Sequence, residues 1–222
     1  ADIKANYPAI KAKAKAHFGG QPYDPPAHRF SDLSHEEATA IQEEYWNNGG
    51  LRVAQVWNDA MGNPKVREFI EDFFRKKVRS IVKDPVKAEI LEPKGYPYGA
   101  KRIVLDSNFY EAFNLPHVDI VNIRKNPVST ITENGLIAGD TEYPLDIIIF
   151  ATGYDAVTGP FRAMNIVGRG GMKLADRLED GPRAYLGMSF HGFPNLLSVS
   201  GPCNPALSTN VPVSIEHDVE WI

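Results

Sequence analysis

The 222-residue chain carries one cysteine, Cys203. That excludes an internal disulfide framework and fits a reducing, cytoplasmic compartment. No apolar run approaches the roughly 20 residues that a membrane-spanning helix needs, and no secretory leader is visible. Neither sign of charge dominates. The 24 Lys and Arg against 28 Asp and Glu leave a net −4, which gives no general reason to expect nucleic acid or an anionic membrane as partner. The six histidines follow no metal-ligand spacing, so no metal is expected. Also missing is G-x-G-x-x-G, the glycine pattern that lets a pyrophosphate approach a helix N-terminus.

That last absence matters because of what is present. The run "LDIIIFATGYDAVTG", residues 145–159, places apolar residues ahead of a small-residue turn. It reads as a buried strand delivering backbone to a ligand, as in dinucleotide-binding sheets. In "ATGYD", the small Ala151, Thr152 and Gly153 allow a cofactor or a second strand to pass close by. A tight turn without a ligand would use the same residues.

Up to about residue 92 the pattern is helical. Ser34 and Glu37 form a capping box ahead of Ala38, Ile41 and Tyr45, and Asn47 to Gly50 stop that helix. Val53, Val56, Trp57 and Ala60 make a second helical stripe ended by Gly62. Asn63-Pro64 starts a third helix, with Val66, Phe69, Ile70 and Phe73 inward and a charged, solvated face opposite. Asp84-Pro85 begins a short fourth. The linker "EPKGYPYGAKR", residues 92–102, is dense in Pro and Gly and reads as a surface loop. Beyond it the pattern is mixed. Strands are expected at Ile103–Leu105, Val118–Ile123, Val128–Thr132 and Leu145–Phe150, with a helical turn over Ser107–Asn114 and a hairpin at Asn134-Gly135. Short strands are expected within Tyr185–Phe190 and Leu196–Ser200, then a last helix with Ile215, Val219 and Ile222 on one face.

Lys101 and Arg102 stand where the glycine-bearing loop meets a strand, the kind of junction at which nucleotide folds gather ligands. A phosphate suits the lysine's point charge, and an anion suits the arginine's planar fork. An ordinary solvated pair is the alternative. "GRGGM", Gly168 to Met172, lacks phosphate-loop spacing and reads as a turn. "GMSFH" has His191 where a nucleophile elbow needs glycine. Cys203 has no base partner. In "GPCNPALSTNVPVSIE", Asn210 stands near a helix cap and Pro212 in the first turn. The free N–H groups there would suit a group that gains negative charge, or they belong to an ordinary capped helix.

Taken together, "YPYGAKR…LDSNFYEAFNLPHVDIVNIRKNPVSTIT", "LDIIIFATGYDAVTG", "GPRAYLGMSFHGFPNL" and "GPCNPALSTNVPVSIEHDVEWI" resemble the flavin-dependent Baeyer–Villiger monooxygenases of the phenylacetone and cyclohexanone monooxygenase type. The likeness is strong from Glu92 onward. It implies an α/β fold, part of a flavoprotein with two Rossmann-like dinucleotide-binding domains, one for FAD and one for NADP, and a helical insertion. It assigns residues 1–92 to the insertion, 93–154 to the end of the NADP domain and 155–222 to a truncated second half of the FAD domain. Both phosphate loops, the fingerprint F-x-G-x-x-x-H-x-x-x-W and a C-terminal substrate-pocket segment would then lie in other portions of a longer enzyme. The absence of a starting methionine, and a last helix without a cap, agree with an internal piece. Such a piece is expected to be inactive and to fold poorly alone, because its strands lack partners.

The family's chemistry is NADPH- and O2-dependent conversion of a ketone to an ester or lactone through a flavin C4a-peroxide. By resemblance, Lys101 recognises the 2′-phosphate of NADPH and Arg102 is the active-site arginine, next to cofactor and substrate. Ala151, Thr152 and Gly153 line the cofactor. The backbone of Val211, after Asn210, approaches the flavin, and Pro205, Ala206, Leu207 and Ser208 border the substrate pocket. Two other readings stay open: a related flavin monooxygenase acting on N or S heteroatoms, and a non-catalytic module that kept the fold.

Overall fold

The structure is a computed structural model describing residues 2–204 and 209–222. The chain divides into two compact units, one of Ala1–Pro25 with Thr152–Ile222, the other Pro26–Ala151. The first unit opens with α1 (Asp2–Ala5) and α2 (Tyr7–Ala16), whose lysines leave α2 strongly basic.

The second unit begins with helices. α3 (His35–Asn48) starts on the expected capping box: Ser34 Oγ accepts from Glu37 N at 3.3 Å, and Ser34 N donates to Glu37 Oε2 at 2.8 Å. It stops at Gly49, whose φ of +68° suits glycine. The expected helix over Val53–Ala60 is absent. A 3-10 turn at Leu51–Ala54 replaces it, and Asn58 N instead donates to His28 O at 2.9 Å. Val53, Val56 and Trp57 are still buried, so the apolar stripe reported burial correctly and conformation wrongly. α4 (Pro64–Ile81) has Asn63 as N-cap, accepting from Lys65 N at 3.1 Å, and Pro64 in its first turn. α5 (Pro85–Leu91) is capped by Asp84. Ala38, Val56, Trp57, Val66, Phe69 and Ile70 form one core cluster, and Val78, Val82 and Ala88 a second.

The rest of this unit holds α6 (Phe109–Ala112) and a three-stranded antiparallel meander: β1 (Val128–Thr132), β2 (Gly135–Ala138) and β3 (Thr141–Pro144). The hairpin turn is Glu133-Asn134, one residue ahead of the expected Asn134-Gly135, with Thr132 paired to Gly135, which opens β2. Glycine is required at 135 because a Cβ there would lie 1.9 Å from Tyr143 O.

The strands expected at Ile103–Leu105, Val118–Ile123 and Leu145–Phe150 have no ladder partner among the described residues. A strand forms only where another chain segment takes up its N–H and C=O groups. No described segment does so here. Val104, Ile147, Ile149 and Phe150 are accordingly exposed, not buried.

The first unit resumes with α7 (Gly159–Ala163), a 3-10 turn at Arg169–Gly171 within the "GRGGM" segment, and α8 (Leu174–Arg177). β4 (Ser189–Phe190) and β5 (Phe193–Leu197) pair antiparallel, and α9 (Val211–Trp221) follows. Leu174, Leu178, Phe190 and Phe193 are its core. α9 turns the unexpected way round. Ile215, Val219 and Ile222 are exposed, while Asp218 is buried and accepts from Ser200 N and Asn204 Nδ2, both at 3.0 Å. No helix of the described residues is long and apolar enough to cross a membrane.

Candidate functional site

The linker that ends in Lys101 and Arg102 is held from below by α4. Phe69, Ile70 and Phe73 of α4 are buried, which turns Glu71, Phe74 and Arg75 toward the linker's side. Glu71 Oε1 accepts from Tyr98 N at 2.8 Å. Its other oxygen pairs with Arg75 Nη2 at 2.8 Å, and Arg75 Nε donates to Pro93 O at 3.4 Å. Tyr98 stacks on Phe74 with ring centroids 6.4 Å apart, and its hydroxyl donates to Ala54 O at 2.9 Å. Burial pushes the Tyr98 phenol up to about 12, so it remains a neutral donor. At the head of the linker, the buried Glu92 carboxylate is gripped by the Arg79 guanidinium and by Lys94 Nζ at 3.2 Å. The Arg79 hydrogen bonds, with Lys94 helping, hold the Glu92 carboxyl below its ordinary range.

A loop fixed at Glu92, Pro93 and Tyr98 delivers Lys101 and Arg102 to a defined place. Both line a cavity of about 520 Å³, walled by Trp46, Phe74, Ile81 and Tyr98 among others. Both side chains are exposed at its rim, and neither makes a hydrogen bond or ion pair among the described residues. The Lys101 ammonium lies over the Tyr96 ring, 4.5 Å from its centroid. Chemically this is an aromatic-walled hollow with two uncommitted cations at its lip. It can take an anion or hold a negative charge that develops on a bound molecule.

Ala151 is the last residue of the same unit, and Thr152 and Gly153 open the second segment of the other. All three are exposed, and Gly153 adopts φ +87°. Asn210 is the N-cap of α9 and Val211 its first residue, as the sequence indicates. The Asn210 side chain makes no capping bond, which leaves the first turn of α9 without a side-chain cap. Asn210 N donates to Gly19 O at 2.9 Å. Pro205, Ala206, Leu207 and Ser208 lie outside the described residues. Cys203 is exposed, with Sγ 3.3 Å from Pro182 O.

The reading of the sequence missed Glu71, Phe74, Tyr96 and Tyr98. A signal was present in Tyr-Pro-Tyr between Gly95 and Gly99. Two aromatics in a turn-forming segment are more than a solvated loop needs, and they suggest a loop that packs.

No family model matches the chain. Curated relatives do. The chain is 37% identical over 221 residues to 2-oxo-Δ3-4,5,5-trimethylcyclopentenylacetyl-CoA monooxygenase of Pseudomonas putida, covering 99% of this chain and 41% of the relative. It is 37% identical over 234 residues to a Baeyer–Villiger monooxygenase of Pseudooceanicola batsensis, covering 100% and 41%. It is 41% identical over 193 residues to phenazine N-monooxygenase PhzNO1 of Lysobacter antibioticus, covering 86% and 35%. Among solved structures, OTEMO in complex with FAD and NADP superposes with a TM-score of 0.93 at 38% identity, over 99% of this chain and 41% of that one. The chain thus spans about two-fifths of the length of these relatives.

Proposed function

We propose that this chain, whose relatives are Baeyer–Villiger monooxygenases, forms part of an NADPH- and O2-dependent flavoenzyme that converts a ketone to an ester or lactone. On this reading residues 93–154 close an NADP-binding domain, 155–222 belong to an FAD-binding domain and 1–92 form the helical insertion. The remaining portions of the enzyme complete both. The exposed, unpaired Cys203 is compatible with a cytoplasmic setting.

The residues present fit these cofactors. Both are anionic nucleotides, and the rim of the cavity offers an ammonium and a guanidinium with no competing partner among the described residues. FAD reduced by NADPH supplies the electron and oxygen chemistry when bound. The chain's own part is to bind, orient and hold charge. Lys101 meets the 2′-phosphate as a point charge. Arg102 holds the negative charge that develops on the carbonyl oxygen of the substrate, and it stays charged at any working pH. The uncapped first turn of α9, at Val211 and Val213, would offer its N–H groups to the electron-rich edge of the flavin, with the Asn210 N–H held by Gly19 O. Ala151, Thr152 and Gly153 let backbone pass close to a cofactor. Pro205 to Ser208 border the substrate pocket by resemblance.

The observation that carries this reading is the Arg102 guanidinium, free of hydrogen bonds among the described residues at the lip of an aromatic-walled cavity. In the full-length protein, Arg102→Ala is expected to cut ester formation by about 10²–10³-fold while NADPH oxidation continues. Ester formation within tenfold of the parent would overturn the assignment. The 41% identity to an N-monooxygenase favours a second reading, oxidation of a ring nitrogen. That reaction builds no carbonyl oxyanion, so under it Arg102→Ala leaves N-oxide formation from an aromatic N-heterocycle largely intact.

A further inference from the structure

Lys101 has company of an unusual kind. Its ammonium faces the Tyr96 ring at 4.5 Å, not a carboxylate. The nearby acids are engaged elsewhere: Glu71 with Arg75 and Tyr98 N, Glu92 with Arg79 and Lys94, and Asp106 with Phe109 N at 2.6 Å. The ring is held out by the linker's geometry. Gly95 at φ +79° and Gly99 at φ +87° bracket it, and Tyr98, two residues on, is anchored inward on Phe74 and Ala54 O. Tyr96 itself is 38% exposed and lines the cavity.

A carboxylate partner would orient the lysine but also cancel its charge, and a phosphate would have to displace it. A π-face orients the ammonium and leaves its full charge and its outward N–H bonds for an anion. We propose that Tyr96 is a positioning residue for Lys101: its ring holds the ammonium in place to select a ligand that carries a 2′-phosphate on its ribose. This rests on the assignment of Lys101 as the phosphate-reading residue, and the experiment separates the two.

Binding of 2′,5′-ADP and of 5′-AMP to the full-length protein is measured by calorimetry, without turnover. Lys101→Ala is the control. It is expected to weaken 2′,5′-ADP and spare 5′-AMP, and if it changes neither, the phosphate assignment fails and the role of Tyr96 falls with it. Given that control, Tyr96→Leu is expected to weaken 2′,5′-ADP by roughly two- to fivefold, the range for a cation–π contact at an exposed site, with 5′-AMP unchanged. Tyr96→Phe, which keeps the ring, is expected to restore parental binding of 2′,5′-ADP. Unchanged discrimination in Tyr96→Leu, or equal weakening of both ligands, overturns the inference while leaving Lys101 in place. So does a failure of phenylalanine to rescue.

Discussion

Within residues 26–151 the helical half and the strand half meet the same solvent with opposite results. Val66 and Ile70 of α4 are buried to 0% and 2% exposure, yet Ile147 and Ile149, in a run just as apolar, stand 77% and 85% exposed. The difference is not hydrophobicity. A helix closes its backbone hydrogen bonds within itself, so it needs only a face to bury. A strand cannot satisfy its backbone until another segment lies beside it. The helices therefore reach their core inside this chain. The apolar runs at 103–105, 118–123 and 145–150 do not, and they find no ladder partner among the described residues, whereas β1, β2 and β3 at least pair because the meander brings their partners along in sequence.

The largest expected effect breaks that contrast directly. Ile70→Ala empties a filled core site and is expected to lower the stability of the 222-residue chain by about 2–5 kcal/mol in urea unfolding. Ile149→Ser, in the same chain, is expected to stay within about 0.5 kcal/mol. Comparable losses at the two positions would mean that residues 145–150 are buried after all. The helical half carries its own cluster of Ala38, Val56, Trp57, Val66, Phe69 and Ile70.

A smaller effect sharpens the account of the helical half. Gln42 is fully buried, donates from Nε2 to Val53 O at 3.0 Å and accepts from Trp57 Nε1 at 2.7 Å. It ties α3 to the 3-10 turn that replaced the expected helix. Gln42→Ala strands a buried indole N–H and is expected to cost about 1–3 kcal/mol. A shift in tryptophan emission, measured beside the unfolding midpoint with Trp46 and Trp221 replaced by phenylalanine, locates the change at Trp57. Loss below 0.5 kcal/mol would show that water takes the glutamine's place.

What the sequence disclosed follows the same division. Ser34 with Glu37, Asn63-Pro64 and Asp84-Pro85 marked three helix starts because capping is decided within four residues. β1 was legible over Val128–Thr132, although the turn that follows it lies one residue ahead of the Asn134-Gly135 signal. Asn210 was recognisable by its place two residues ahead of Pro212, although its side chain makes no capping bond. The unpaired runs were misread because a ladder partner is a nonlocal fact. So was the facing of α9. Ile215, Val219 and Ile222 announced a buried stripe, yet the buried side is set by Asp218, whose acceptors are satisfied by Ser200 and Asn204. At the candidate site, Lys101 and Arg102 were visible as charges in a loop. The grip of Glu71 on Tyr98 N across 27 residues was not.

That grip continues at Glu92, and there the least of these effects is expected. The carboxyl is held below its ordinary value of 4.5, first by hydrogen bonds from Arg79. A depressed carboxyl contributes stability that is fully present above the unfolded value and is lost as the pH falls through the folded one. The parent protein is therefore expected to lose stability as the pH drops below about 4.5 more steeply than Glu92→Gln, and to match its slope near neutrality. Urea midpoints recorded across that range test it. Parallel curves for the two proteins would mean that Arg79, largely solvent-exposed itself, exchanges its partner for water and leaves the linker to its anchors at Pro93 and Tyr98. In that case Lys101 and Arg102 would owe their place to α4 through the hydrogen bonds at Tyr98 N and Pro93 O and a stacked ring.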